Sequence, residues 1–354
     1  MFDISTLFKS FLGANTAQGF VSYFAESYSA QDGWHAYIIK GGPGTGKSSM
    51  MKQIAGHFAE NGSTVELCPC SSDPDSLDAV IIHDKKTVIM DGTAPHTVDP
   101  KYPGVCETIV NLSDCWDRKA FAGKEEKIIS LTRENKSLHA QASRYIRAAG
   151  DITEENRKIA LSSLNFKKAE DYAVRLAKRT VLKGENPRED IRFLSGITPK
   201  GLVFLRSSLK KFNTVIAIED EYGAVSDAVL KKIRDYAIQN GQHIISCYNT
   251  LDHTQLDHLL LPAQSLAFCS ENRHTHPDGV TRRIHARRFY DMSVLAAHRE
   301  MLRFNKRASD ELLSEAISVI AKAKRVHDEL EAYYIEAMDF SKVGELTVKI
   351  VNEI

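Results

Sequence analysis

The chain carries one structural unit twice, and this duplication restricts the folds open to its 354 residues more than any bulk property does. Phe11-Leu12-Gly13-Ala14-Asn15-Thr16-Ala17-Gln18-Gly19-Phe20-Val21 returns as Phe193-Leu194-Ser195-Gly196-Ile197-Thr198-Pro199-Lys200-Gly201-Leu202-Val203, with Phe, Leu, Thr, Gly and Val in register. After a three-residue deletion, residues 52–62 match residues 231–241, and each stretch ends in Asn-Gly, a pair suited to a left-handed helix C-terminus. Cys68 then falls on Cys247, Asp73 on Asp252, Leu77 on Leu256 and Asp78 on Asp257, and Trp116-Asp117 corresponds to Tyr290-Asp291. Two copies of this size are each long enough to bury a core of their own.

Within each copy, strand-like and helix-like runs alternate. This predicts an α/β protein of two tandem units with mainly parallel sheets flanked by helices. Strands are expected at 34–40, 64–69, 79–83, 87–91 and 108–112, and again at 213–218, 242–248, 259–261, 265–270 and 283–287. Each unit closes with a long polar segment of helical spacing, almost free of glycine and proline, that reads as a helical hairpin. The expected division is a core over 1–117, a hairpin over 118–190, a second core over 191–291 and a helical segment over 292–354. Residues 118–192 hold 18 Lys/Arg against 11 Asp/Glu, whereas residues 291–354 hold 9 against 12. Opposite signs would let the two helical segments pack on each other, the alternative being that each carries a solvated charged face.

Composition excludes some classes. Lysine plus arginine equals aspartate plus glutamate at 46 each, so the chain lacks the positive excess that gives a nucleic-acid binder its sequence-independent affinity. Met1-Phe2-Asp3-Ile4-Ser5-Thr6-Leu7-Phe8-Lys9 has an early acid and no long apolar run, so neither a signal peptide nor a membrane anchor is expected, and a cytoplasmic location follows. The six cysteines lack Cys-x-x-Cys spacing, and a zinc site at Cys68 and Cys70 is not expected.

The chemistry is concentrated in the first unit. Gly41-Gly42-Pro43-Gly44-Thr45-Gly46-Lys47-Ser48 fits G-x-x-x-x-G-K-[ST] at every fixed position, after the apolar run Ala36-Tyr37-Ile38-Ile39 and before a helix with Met51, Ile54, Ala55 and Phe58 on one face. Such glycines let backbone N–H groups converge on phosphates at a helix N-terminus. Lys47 is expected to reach the β- and γ-phosphates, Ser48 to place its hydroxyl on Mg²⁺, and Ser49 to support the α-phosphate region. Thr87-Val88-Ile89-Met90-Asp91 supplies the acid that would hold the metal through water, the alternative being a cap on the Gly92 turn. Three weaker candidates follow. Asp91-Gly92-Thr93-Ala94-Pro95-His96 brings a hydroxyl and an imidazole near that acid, with His96 as a proton-transfer or γ-phosphate-sensing group or a surface histidine. Ser71-Ser72-Asp73-Pro74-Asp75-Ser76-Leu77-Asp78 either caps a helix or orients a nucleophile. Asn15 and Thr16 would touch base or ribose, or serve structure, as their recurrence at Thr198 suggests.

The second unit has lost these groups. Across the repeat the glycine motif becomes Asp220-Glu221-Tyr222-Gly223-Ala224-Val225-Ser226-Asp227, with Ser226 in place of the lysine and Asp227 in place of the metal-binding hydroxyl. Two acids would repel a triphosphate there, and Asp91 maps onto Ser270, so no nucleotide is expected in unit two. Arg282, Arg283, Arg287 and Arg288 form a basic run that would act as an arginine finger on unit one, line a solvated strand edge, or bind an anion.

Residues 41–48 together with Asp91 resemble the P-loop NTPase superfamily. The Gly-Ala-Asn-Thr start, Ser-Ser-Asp-Pro-Asp-Ser-Leu-Asp, and Asp-Gly-Thr-Ala-Pro-His-Thr-Val-Asp-Pro-Lys-Tyr-Pro-Gly resemble, over most of the chain, a bacterial family of tandem-duplicated P-loop ATP-binding proteins of uncharacterised function. The resemblance implies the fold and ATP binding and supplies no substrate. Members of that family often look able to bind nucleotide in both halves, and the chain departs from this at Ser226 and Asp227. The leading expectation is a slow Mg²⁺-dependent ATPase acting as a conformational switch on a protein or small-molecule partner. It would be slow because no acid directly follows Asp91. A small-molecule or nucleotide kinase using Asp73, Asp78 or His96, and a nucleotide-binding scaffold associated with nucleic acid through the positive segment after Arg118, are the alternatives.

Overall fold

The computed structural model describes residues 3, 7–94 and 97–354. Unit one contains β1 (Phe8–Lys9), β2 (Gly13–Thr16), β3 (Gly19–Ser22), β4 (His35–Lys40), α1 (Lys47–Glu60), β5 (Val65–Pro69), β6 (Leu77–Ile82), β7 (Thr87–Asp91) and β8 (Glu107–Asn111), followed by α2 (Glu125–Ser162) and α3 (Phe166–Thr180). Unit two repeats the series as β9 (Arg188–Arg192), β10 (Ser195–Thr198), β11 (Gly201–Phe204), β12 (Thr214–Glu219), α4 (Ala224–Gln239), β13 (His243–Tyr248), β14 (Leu256–Leu261), β15 (Leu266–Glu271) and β16 (Val280–His285). It continues into α5 (Met292–Ala297), α6 (Arg299–Ala337) and α7 (Phe340–Glu353).

Each unit forms a six-stranded sheet, in the order β1-β5-β6-β7-β4-β8 and, equivalently, β9-β13-β14-β15-β12-β16. The expectation of mainly parallel sheets needs one correction: β6 and β14 run antiparallel to both of their neighbours, and the remaining pairs are parallel. The reason is the short Asp84-Lys85-Lys86 connection, which leaves no room for a crossover helix and turns β6 straight into β7. Helix α1 buries Met50, Met51, Ile54, Ala55 and Phe58 against this sheet. The repeated Asn-Gly pairs terminate α1 and α4, with Gly62 and Gly241 at φ 85° and 78°. The Ser-Ser-Asp-Pro-Asp-Ser segment, expected to cap a helix, instead turns into the strand β6, and Ser76 donates to Asp73 within the turn at 2.8 Å.

A pseudo-twofold relation joins the units. At its centre Phe11 and Phe193 exchange both backbone hydrogen bonds, at 2.8 and 2.9 Å. Beside it the fully buried Arg192 donates to Glu66 at 2.9 and 3.3 Å, with Ser10 and His83 completing the carboxylate's partners. A buried pair of this kind adds little net stability but penalises any other docking of the halves. The β2–β3 and β10–β11 hairpins, unforeseen in the strand expectations, lie near the same centre: Thr16 and Thr198 each donate to the carbonyl three residues on, at 2.7 and 2.8 Å. The Asn15-Thr16 segment forms a turn packed near α2, where Arg147 donates to the Ala17 carbonyl.

The helical segments are exchanged between the units. Helices α2 and α6 run antiparallel through a seam of small and apolar residues, Ala142, Ile146 and Ala149 against Leu313, Ala316 and Ile320. Lys124–Glu336 and Lys127–Glu329 ion pairs close one end of the seam at 2.6 and 2.8 Å. Each helix thereby reaches the opposite unit. Leu164, after α2, bridges to Tyr290, and Met338, after α6, bridges to Trp116. Helix α3 packs on α4 of unit two, and α7 packs on α1 of unit one. No helix among the described residues is long and apolar enough to cross a membrane.

Candidate functional site

The glycine-rich loop occupies the turn from β4 into α1. Strand β4 lies between β7 and β8, and the pairing of Ile39 with Asp91 sets the carboxylate beside the start of the loop. Gly44 and Gly46 have φ of 68° and 85°, a backbone region where a side chain is strained, so both positions require glycine to hold this shape. Gly46 is also the N-cap of α1 and offers no side-chain acceptor to the helix's first amides. The Thr45 hydroxyl donates to the Gly42 carbonyl at 2.9 Å and braces the curl from inside.

Lys47 folds back over this loop. Its ammonium donates to the Gly41 and Gly42 carbonyls at 3.0 and 2.6 Å and lies 3.6 Å from Asp91 Oδ2. Asp91 Oδ1 accepts the Thr93 amide at 2.8 Å, and the Thr93 hydroxyl donates to the Gly41 carbonyl at 2.9 Å, tying the end of β7 to the loop. The Ser48 hydroxyl oxygen accepts the Leu77 amide at 3.0 Å, which aims its own proton and remaining lone pair elsewhere. Ser49 is exposed on the next position of α1. Lys47 and Asp91, predicted separately along the sequence, thus converge, with Ser48 the next residue of α1, whereas His96 lies outside the described residues.

Unit two shows what these residues replace. Ser226 and Ser270 stand at the places of Lys47 and Asp91, and their hydroxyl oxygens lie 3.4 Å apart. Asp227 Oδ1 accepts the Leu256 amide at 2.8 Å as Ser48 accepts that of Leu77. Gly223 keeps the positive φ of Gly44, but Val225 replaces Gly46, and a β-branched residue resists the left-handed region. Helix α4 consequently begins at Ala224, the equivalent of Thr45 and so two residues earlier in the repeat than α1. The cradle has been wound into helix.

Its exposed amides are satisfied internally. Asp220 Oδ2 accepts the Val225 and Ser226 amides at 2.8 and 2.9 Å, and Oδ1 accepts the Tyr290 hydroxyl at 2.8 Å. Burial pushes the Asp220 carboxyl above its ordinary range against these hydrogen bonds. The expectation that both acids face a phosphate position is corrected: Asp220 fills it, while Glu221 turns away to Arg273 and Lys306 at 2.8 and 2.9 Å. Asp227 is held by Arg157 of α2 at 2.8 Å and by Lys231.

The arginine run of unit two does not approach the first loop. It lies on and just after β16, the far edge of the second sheet. Arg283 pairs with Glu271 at 2.9 Å, Arg282 donates to the Tyr172 hydroxyl, and Arg288 stacks over Tyr172 and Phe289. Arg287 is exposed on the same edge. What unit two delivers instead is the end of α6. Glu331 Oε1 accepts the Gly44 amide at 3.2 Å, and a Cβ on Gly42 would meet the Tyr334 ring at 2.9 Å. Tyr334 joins Trp116 and Phe121 in an aromatic cluster beside the loop. Lys324, further back on α6, lies 3.3 Å from Asp73 Oδ2, and Lys200 pairs with Asp75 at 2.6 Å. The helical spacing of residues 292–354 was legible, but no sequence signal tells which unit a C-terminal helix covers. Comparison with protein-family models, with curated proteins and with solved structures finds no match for this chain.

Proposed function

We propose that the protein binds ATP with Mg²⁺ on the 41–48 loop of unit one alone and hydrolyses it slowly, as a switch that alters how α6 sits on that loop. The observation that carries this reading is the convergence of Lys47 and Asp91, 3.6 Å apart, on a loop whose two positive-φ glycines leave helix-terminal amides without a side-chain cap. In this reading P-loop chemistry follows from the donor set. Backbone N–H groups of residues 44–48 and the Lys47 ammonium would take the phosphate oxygens, for which Lys47 would exchange its present carbonyl partners. Ser48 and Asp91 would hold Mg²⁺, which supplies neutralising charge to the β- and γ-phosphates. The loop of unit two, wound into α4 and filled by Asp220, has no equivalent groups to offer.

The test is a single turnover with γ-labelled ATP and Mg²⁺, with and without an extract of small metabolites. Label released as free phosphate by the wild type and reduced at least about a hundredfold in Lys47→Ala is the expected result, since removing a phosphate-clamping group costs that much or more. Label transferred to a metabolite would replace hydrolysis with a kinase reaction. Equal release from both proteins would remove Lys47 from the chemistry.

A further inference from the structure

We propose that the Glu331 carboxylate is an internal competitor for the phosphate seat of the first loop, and that nucleotide binding must expel it and displace the turn of α6 that carries Glu331. This rests on the ATP reading above. The Gly44 amide, in a loop of this shape, is one of the donors that face a polyphosphate, and Glu331 takes it at 3.2 Å. The contact is made by a whole helical turn. A Cβ built on Gly44 would lie 2.7 Å from the Glu331 carbonyl oxygen and 3.0 Å from Ile335, so the backbone of α6 rests directly on the loop. Two anions cannot share one set of amides, because like charges at contact distance in a partly desolvated cleft repel strongly.

The contact is held less firmly than its counterpart in unit two. Glu331 is only half-buried, and its other partner, His327 Nε2 at 3.3 Å, belongs to the same helix and would travel with it. The seat of unit two is filled by Asp220 from the loop's own strand, fully buried and bound by Tyr290, so there the same substitution of carboxylate for phosphate is permanent. The connection after α6 is short: the Met338–Trp116 bridge and the Asp339 amide on the Cys115 carbonyl anchor the chain just beyond Ala337. Movement of Glu331 is therefore taken up along α6 toward Lys306 and Asp310, which hold Glu221 and Arg273 at the loop of unit two about 38 Å away along the helix. Ejection at one loop is thereby felt at the other.

The experiment measures ATP-Mg²⁺ affinity by calorimetry for the wild type, Glu331→Gln, Glu331→Ala and Glu329→Ala, the last an exposed acid of the same helix paired with Lys127. It also records hydrogen exchange of residues 327–337 in the wild type with and without ATP-Mg²⁺. Both Glu331 variants should bind about tenfold more tightly than the wild type, within the usual range of a coupling between sites, and Glu329→Ala should not. Exchange in the wild-type segment should rise with nucleotide. Unchanged or weaker binding by both Glu331 variants, or slower exchange on nucleotide binding, would overturn the competitor while leaving ATP binding intact. Absence of binding by every protein would defeat the ATP reading and this inference with it, whereas binding by the Glu331 variants alone would support both.

Discussion

The loops at 41–48 and 220–227 leave equivalent strands and enter equivalent helices, yet the helix begins only at Lys47 in the first and already at Ala224 in the second. The difference traces to few positions. Gly46 holds φ at 85°, whereas Val225 at the same place continues the helix, so the amides that would cradle an anion become ordinary members of the first turn of α4. Those amides still need an acceptor, and Asp220 supplies one from the loop itself. In unit one a carboxylate is present too, but Glu331 arrives from α6 across the exchanged helices. Each loop thus has a carboxylate of the chain on its amides, from its own strand end in unit two and from α6 in unit one.

The largest expected effect that would break this comparison is on stability. Asp220→Ala should destabilise unit two by about 3 kcal/mol, since it leaves the Ser226 amide and the Tyr290 hydroxyl without their carboxylate acceptor and the Val225 amide with only the Tyr290 oxygen at 3.3 Å. Glu331→Ala, removing the Gly44 and His327 contacts of a half-buried group, should cost less than about 1 kcal/mol. Urea unfolding of both variants measures the contrast, and equal costs would mean that the two carboxylates are not permanent and removable versions of one device. Next comes the backbone. Gly46→Val should abolish ATP binding by calorimetry and lower stability by about 1–2 kcal/mol, because a β-branched side chain is strained at the φ of 85° held there. Retained binding would show that Val225 is not what closed the second loop.

A further expected effect is a pH dependence set in unit two. Burial pushes the Asp257 carboxyl from its ordinary 3.8 to about 7, although Asn249 and Gln255 donate to it. Below about 3.8 the group is protonated in both the folded and unfolded chain. As pH rises from there to about 7 the unfolded chain releases a proton that the fold retains, so stability falls over this window and levels off above it. Denaturation between pH 5 and 8 should show this decline, and Asp257→Asn should flatten it. A slope unchanged by the substitution would place the titration elsewhere.

Local pattern was enough for much of the architecture. The ten strands of the two sheets that were expected are found, the interior ones with apolar runs buried as β4 and β7 are and the edge strands β8 and β16 more exposed, and the repeat register held through to Ser48 and Asp227 each accepting an amide from an equivalent leucine. The edge strands β1 and β9 and the two hairpins escaped notice: Arg192 and Glu66 are charged residues buried by pairing with each other, and no periodicity marks such a strand. The antiparallel β6 and β14 were hidden for a different reason, since an apolar run has the same appearance in either direction.

The sequence by itself determined the duplication, the glycine loop with its flanking strand and helix, and the loss of Lys47 and Asp91 equivalents in the second copy, because each of these is written in contiguous residues or in their spacing. Only the tertiary structure decided that Asp220 turns inward while Glu221 turns out, that the arginines of β16 stay on a far edge, and that α6 crosses to lay Glu331 on Gly44. Those outcomes depend on which amphipathic surfaces meet across the pseudo-twofold centre. Residues 287 positions apart in the chain carry no local sign that they will touch.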